Sequence, residues 1–243
     1  MTDTTLGGWT DSAAAYIGFQ DAGDPNRTLL LDPVMLRLCG DVAGKRMLDL
    51  GCGEGRFCRM MGERGADCVG IDITHEMAMT ARGRDRSANG YLMSDAARLP
   101  FAPASFDLVV SYVTLVDIPD YRAAIAECAR VLRPGGSLVV ANLGFVTAST
   151  RPDTSWIRDD AGERLYVALD HYAEERSQWF EWLGIRIENW HRPLSHYMSA
   201  YLGAGLKLRE FLEPVPADDS LREDPRFEDW YRIPLFTVMR WDL

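Results

Sequence analysis

Lysine is almost missing from this chain: Lys45 and Lys207 are the only two among 243 residues, and no arginine cluster replaces them. The net charge is −10. Holding DNA or RNA takes several cationic phosphate contacts, so a nucleic-acid partner is disfavoured. Long apolar runs are missing too. None approaches the ~18 residues of a membrane span, and Met1–Ser12 is polar and acidic, without the apolar stretch of a secretory signal. The five cysteines (Cys39, Cys52, Cys58, Cys68, Cys128) are odd in number and contain no C-x-x-C pair. That argues against a disulfide framework or a zinc site and for reduced thiols in a cytoplasmic protein. No internal repeat or low-complexity tract occurs. Hydrophobic residues make up 47%, enough to give this length one large domain, or a domain with a lid, working as a monomer or homodimer.

What is present is a rhythm of short apolar runs. Arg46–Leu50, Cys68–Asp72, Tyr91–Ser94, Phe106–Tyr112 and Ser137–Leu143 read as strands with helical patterns between several of them, which predicts a doubly wound, mostly parallel α/β sheet. A helix is expected over Pro119–Leu132, with Pro119 in its first turn and Pro134-Gly135-Gly136 ending it. A second is expected from an N-cap at Ser195 to a stop at Gly205, because Tyr197, Ala200, Tyr201 and Ala204 share one face. Strands Lys207–Leu212 and Leu235–Trp241 follow.

The first strand runs into Gly51, Gly53 and Gly55, at every second position, and then into a helical pattern. Glycines let a backbone turn tightly and approach a ligand, and a helix N-terminus completes a nucleotide-type site. A dinucleotide loop needs a third small residue where this chain has Arg56, and no Lys-Ser/Thr pair marks a phosphate loop. Asp49 and Glu54 would repel a pyrophosphate. They suit a ligand that carries a sulfonium and an ammonium, which favours S-adenosylmethionine over NAD. Asp72 ends the second strand 21 residues after Gly51, where a carboxylate can accept both ribose hydroxyls; its other reading is a helix cap. Asp49, inside an apolar strand, must be paired, either to the ligand's ammonium or to the glycine turn it braces.

These residues resemble the class I S-adenosylmethionine-dependent methyltransferases, and within them the small-molecule "type 11" branch that includes the quinone-biosynthesis C-methyltransferases. The resemblance rests on Leu48-Asp49-Leu50-Gly51-Cys52-Gly53-Glu54-Gly55, Val69-Gly70-Ile71-Asp72, Asp95-Ala96 before Leu99-Pro100-Phe101, Phe106–Ser111, and Val131-Leu132-Arg133-Pro134-Gly135-Gly136. It implies a seven-stranded Rossmann-like sheet whose antiparallel last strand lies beside the fifth. It also implies a cofactor site of Asp49, Gly51, Cys52, Gly53, Asp72 and Ile73, with Asp95 and Ala96 at the adenine and Ser111 near the reactive methyl. Tyr16 and Arg27 would come from an N-terminal cover, one shielding the sulfonium and the other pairing the cofactor's carboxylate. The Asn/Asp-Pro-Pro-Tyr of DNA amino-methyltransferases is replaced by Ser111-Tyr112-Val113-Thr114, so that chemistry is not indicated.

The expected organisation is a helical cover over 1–30, a cofactor-binding core over 31–144, a lid over 145–192, and a C-terminal helix with two strands over 193–243. From Arg151 to Tyr201 lie nine of 25 aromatics and three of four histidines. Gln178–Leu183 and Arg186–Trp190 read as antiparallel strands of this lid, which is expected to wall the acceptor space. His171 and His191, with His196, are the candidate general bases. Trp156, Trp179, Phe180, Trp182 and Trp190 either line that space or hold the lid together. The resulting reading is a small-molecule methyltransferase, O- or N- ahead of C-methylation, with no metal. An NAD-type oxidoreductase and a non-catalytic cofactor-binding protein are its rivals.

Overall fold

The computed structural model describes residues 6–87, 89–146, 156–218, 221–222, 224 and 227–243. The stretch 147–155, where the expected lid begins, lies outside the described residues. Strands β1 (Arg46–Leu50), β2 (Asp67–Asp72), β3 (Gly90–Met93), β4 (Phe106–Tyr112) and β5 (Leu132–Leu143) run through the centre. Helices α1 (Trp9–Ala22) and α2 (Asp32–Cys39), joined through a π-helical turn at Asn26–Leu31, precede them. Helices α3 (Arg56–Gly62), α4 (His75–Arg84) and α5 (Tyr121–Val131) connect the strands. After β5 come four short strands, β6 (Trp156–Arg158), β7 (Arg164–Val167), β8 (Arg176–Trp182) and β9 (Ile185–His191). Helix α6 (Leu194–Gly203), strand β10 (Lys207–Leu212), helix α7 (Glu228–Arg232) and strand β11 (Phe236–Asp242) complete the chain.

The main sheet has seven strands in the order β10-β11-β5-β4-β1-β2-β3. All neighbours are parallel except that β11 runs antiparallel to both β5 and β10. This is the expected sheet. Alternation along β1 sorts its side chains onto two cores. Met47 packs with Leu31, Met35 and Phe57 on one face, and Leu48 and Leu50 pack with Tyr121, Ile125 and Tyr201 on the other. Each fully buried aliphatic side chain contributes roughly 1.5–3 kcal/mol. Strand order reverses between β1 and β4, and the carboxyl ends of strands at such a point open a ligand crevice.

Two helix boundaries differ from expectation. Asp120 caps α5 by accepting from the Ala123 N–H at 3.0 Å, so Pro119 sits ahead of the helix rather than in its first turn. At α6 the cap position is Pro193 and Ser195 falls within the first turn, because the chain leaves β9 extended through Pro193.

The region expected to be one lid is two separate hairpins, β6–β7 and β8–β9. The first is tied to α7: Arg164 pairs with Asp229 at 2.9 Å, and Arg232 donates to the carbonyls of Arg164 and Leu165. The second closes through Leu183 and Gly184, both at positive φ (47° and 79°), a two-residue turn that follows the strand twist. Strand β9 is bound to α1 and to the loop after β4. Ser12 Oγ donates to the Arg186 carbonyl and accepts from its N–H, both at 2.9 Å, and the Trp190 N–H reaches the Val116 carbonyl at 2.7 Å. Among the described residues no helix is long and apolar enough to cross a membrane.

Candidate cofactor and acceptor site

Gly51, directly after β1, takes φ +70°, and a Cβ there would lie 2.2 Å from Thr114 Cγ2. Only glycine lets the loops after β1 and β4 meet this closely. Gly53 has φ +55°, and a Cβ there would meet nothing nearer than the Tyr16 ring at 3.9 Å, so this side of the loop faces open space. Its N–H donates to Asp72 Oδ2 at 2.9 Å, while Asp72 Oδ1 accepts from Thr74 N and Thr74 Oγ1 at 2.9 and 2.6 Å. Asp72 therefore braces the glycine loop and the start of α4 at once. Burial raises its pKa, and these donors act against that rise.

The two charged loop residues behave differently from expectation. Arg56 turns away from the helix–strand contact to pair with both oxygens of Asp32 on α2, and Tyr112 Oη also donates to Asp32 at 2.7 Å. Glu54 is buried and held by Arg59 at 2.7 Å and Arg84 at 3.0 Å. Its charge is spent inside the protein and is not available to repel or attract a ligand.

A cavity of about 310 Å³ opens at the carboxyl edge, within the size range of small-ligand sites. Its glycine-loop side is formed by Gly51, Gly53, Ile71, Asp72, Ile73, Asp95 and Ala96 from the ends of β1 and β2 and the loop after β3. The rest of the lining comes from Leu6, Trp9 and Tyr16 of the amino-terminal segment and from Val113, Thr114, Asp117, Ile118 and Pro119 after β4. Asp95 Oδ1 accepts from the Ala97 N–H at 2.8 Å, which shapes the turn after β3. Beside the glycine loop a smaller recess brings together Tyr16, Arg27, Asp49 and Cys52. Arg27 donates to Tyr16 Oη at 2.7 Å, lies 3.6 Å from Asp24 and stacks 4.6 Å over the Tyr112 ring. Its Nε is buried without a hydrogen-bond partner, as is Oδ1 of Asp49. Asp49 Oδ2 accepts only from the Cys58 thiol at 3.4 Å, and burial pushes its carboxyl up to about 7. The Cys52 thiol is packed under Gly70, and its backbone is engaged, the N–H donating to the Ile71 carbonyl at 2.8 Å and the carbonyl accepting from the Gly55 N–H at 3.0 Å, so Cys52 shapes the turn.

Three expected positions fall elsewhere. Ser111 is fully buried and does not line the cavity, because alternation along β4 turns it to the face opposite Tyr112. His191 is fully buried, with Nε2 donating to the Tyr172 carbonyl at 2.7 Å, and burial lowers its pKa. His171 is exposed; its hydrogen bond with Glu174 at 2.8 Å, and then the charge of Asp170 beside it, raise its pKa. No histidine lines the cavity, and neither does any described residue of 145–192. The cause is α1, which occupies the roof and leaves the hairpins outside it. The lid aromatics pack there: Arg186 lies 4.1 Å over Trp179, and Arg232 lies 4.5 Å over Trp156.

Two residues not singled out in the sequence organise the lining after β4. Asp117 belongs to it, and Arg192 fixes the loop that carries Asp117. The signal for the first was a polar residue in Asp117-Ile118-Pro119-Asp120, placed just after a strand's carboxyl end. Little local marks Arg192: it donates to Tyr197 Oη at 3.0 Å, but the carbonyls it pins are more than 70 residues away.

A model described as "Methyltransferase domain" matches residues 48–140, the stretch from the glycine loop to β5. The chain is 35% identical over 154 residues to O-methyltransferase cnsE of Penicillium expansum, covering 58% of this chain and 56% of that one. It thus spans little more than half the length of that relative. It is 30% identical over 157 residues to O-methyltransferase rstn1 of Aspergillus nomiae, covering 59% of this chain and 70% of that one. The crystal structure of an S-adenosylmethionine-dependent methyltransferase from Mesorhizobium loti superposes with a TM-score of 0.79 at 25% identity, over 91% of this chain and 99% of the other. With a seven-stranded sheet of this order and a glycine loop at its switch point, the chain belongs to the class I S-adenosylmethionine-dependent methyltransferases.

Proposed function

We propose that this protein transfers a methyl group from S-adenosylmethionine to an oxygen or nitrogen atom of a small-molecule acceptor. The observation that carries the reading is one cavity that joins a glycine-loop end to a second end lined by Leu6, Trp9, Ile118 and Pro119 around Asp117. The cofactor fits the first end by charge. Arg27 Nε and Asp49 Oδ1 are buried and make no hydrogen bond, with Arg27 in an ion pair with Asp24 at 3.6 Å, and the two groups suit the carboxylate and ammonium of an amino-acid moiety. Asp72 accepts from Gly53 and from Thr74 twice, and the Ile73 N–H acts on it too, so its four lone-pair sites already have donors. It would receive the ribose hydroxyls by sharing those sites. Asp95 and the Ala96 backbone would take the adenine edge. When bound, the cofactor supplies a methyl already activated on a sulfonium.

The chain's own residues bind, orient and exclude water. Trp9 and Tyr16 on α1 roof the cavity, so an acceptor held beneath them is desolvated and aligned. The named relatives being O-methyltransferases supports oxygen as the acceptor atom. Calorimetry tests the first step: S-adenosylhomocysteine should bind and NAD should not. Tighter binding of NAD would sink the reading. Methyl transfer from labelled cofactor to any small acceptor then separates an enzyme from a protein that only binds the cofactor. At a net charge of −10, duplex DNA and tRNA should not be retained at physiological salt.

A further inference from the structure

Asp117 stands at the cavity's second end, half-buried between Ile118 and Pro119 of its own loop and Leu6 and Trp9 of the amino-terminal segment. Its carboxyl group accepts from the Asn189 side-chain amide on β9 and from the Trp9 indole on α1. Two donors from two elements fix its position and leave lone pairs for a third. The loop itself is pinned. The fully buried Arg192 guanidinium donates to the Leu115 carbonyl at 3.0 Å, to the Ile118 carbonyl, and to the Pro119 carbonyl at 3.1 Å. It stacks 4.2 Å over the Tyr121 ring.

The surroundings set the protonation of this carboxyl. Burial pushes its pKa well up and Asp72 adds to the rise, while Asn189, Trp9 and Arg192 oppose it. Tyr16 on α1 and Tyr197 on α6 also face it. In its ionised form, with two fixed donors and a lone pair left open, this carboxylate can accept a proton from a bound O–H or N–H. Asp120 adds a second acid to the lining, and the only cation among the described lining residues is Arg27, already engaged by Tyr16 and Asp24.

Building on the methyl-transfer reading, we propose that Asp117 recognises the acceptor. It accepts a hydrogen bond from an acceptor O–H or N–H and takes that proton, so the acceptor is a small apolar molecule bearing a hydroxyl or an amine rather than an acid. In this step the heteroatom–hydrogen bond breaks, its electron pair stays on the heteroatom, and the proton joins an Asp117 oxygen. A carboxylic acid is rejected because its negative charge would lie beside Asp117 and Asp120 with no free cation opposite.

The test uses the whole protein saturated with S-adenosylhomocysteine and three probes of similar shape: benzyl alcohol, benzylamine and benzoate. Their binding is measured by saturation-transfer NMR titration. The alcohol and the amine should each bind at least tenfold more tightly than benzoate. In Asp117→Asn that preference should shrink to within threefold while S-adenosylhomocysteine affinity stays within threefold. Equal or tighter benzoate binding, an undiminished preference in the variant, or no binding by any probe each overturns the proposal. Should the variant fail to fold, the ranking on the wild-type protein decides alone. Failure of the wild type to bind S-adenosylhomocysteine counts against the methyl-transfer reading instead, and the probe ranking is then read on the protein by itself.

Discussion

The two ends of the cavity are built in opposite ways. The glycine-loop end comes from the turns that follow β1, β2 and β3, in which backbone conformation and the carboxylates of Asp72 and Asp95 do most of the shaping. The acceptor end is assembled by side chains from distant segments: Trp9 from α1, Asp117 after β4 and Asn189 from β9, the last two 72 residues apart in sequence. A cofactor site of the first kind travels with its motif. A site of the second kind exists only after helix α1 and the β8–β9 hairpin have docked, so it is free to differ between proteins that share the motif.

The largest expected effect concerns the pin at the acceptor end. Arg192→Ala leaves the carbonyls of Leu115, Ile118 and Pro119 without their buried donor. Urea unfolding should show a loss of roughly 3–5 kcal/mol. Affinity for S-adenosylhomocysteine should move less than tenfold in whatever fraction remains folded. A folded variant that no longer binds it would erase the separation between the two ends.

Next comes Asp72→Ala, which removes an acceptor from the glycine-loop end. Cofactor affinity should weaken by about 1.5–3 kcal/mol, the range for hydrogen bonds to a charged group. An unchanged dissociation constant in calorimetry would mean that Asp72 only braces Gly53 and Thr74.

Asp49 provides a smaller, pH-dependent effect. Its folded-state carboxyl sits up at about 7, against 3.8 ordinarily. Between those values the folded state holds a proton that the unfolded state has lost, so this group's contribution falls as pH rises from about 4 through about 7. Asp49→Asn should remove that decline and gain on the order of 1–3 kcal/mol of stability at pH 8. Asp72 and Asp117 are raised in the same sense, so part of the decline stays. The variant should also lose the rise in S-adenosylhomocysteine affinity expected as Asp49 ionises near pH 7. Equal stability of both proteins across pH 5–8 would count against a buried, protonated Asp49.

The smallest effect is expected at His171. It is exposed and pairs with Glu174 at the surface, where ion pairs contribute little. His171→Ala should leave melting temperature and turnover unchanged, and a hundredfold loss of turnover would return this histidine to the chemistry.

The strands, their parallel order and the glycine loop were legible because their causes are local. The continuous burial of Met47 to Leu50 in β1 and the positive-φ turn at Gly51 are written in a few adjacent residues. The histidines misled for the opposite reason. His191 and His171 lie in a stretch rich in aromatics, which matched a pocket wall in composition. Whether such a stretch faces a ligand depends on what else claims the space, and here α1 does. Glu54 misled similarly: its place in the loop was readable, but its neutralisation by Arg59 and Arg84 was not.

By itself the amino-acid sequence determined the sheet, the switch point and the carboxylates at the ends of β1, β2 and β3, since each follows from periodicity or from a turn that one residue type permits. Tertiary structure alone decided that α1 roofs the cavity, that the hairpins dock outside it, and that Arg192 holds Asp117 in place. Those outcomes depend on contacts between residues far apart in the chain, and their free energies are set by packing and desolvation that no local pattern encodes.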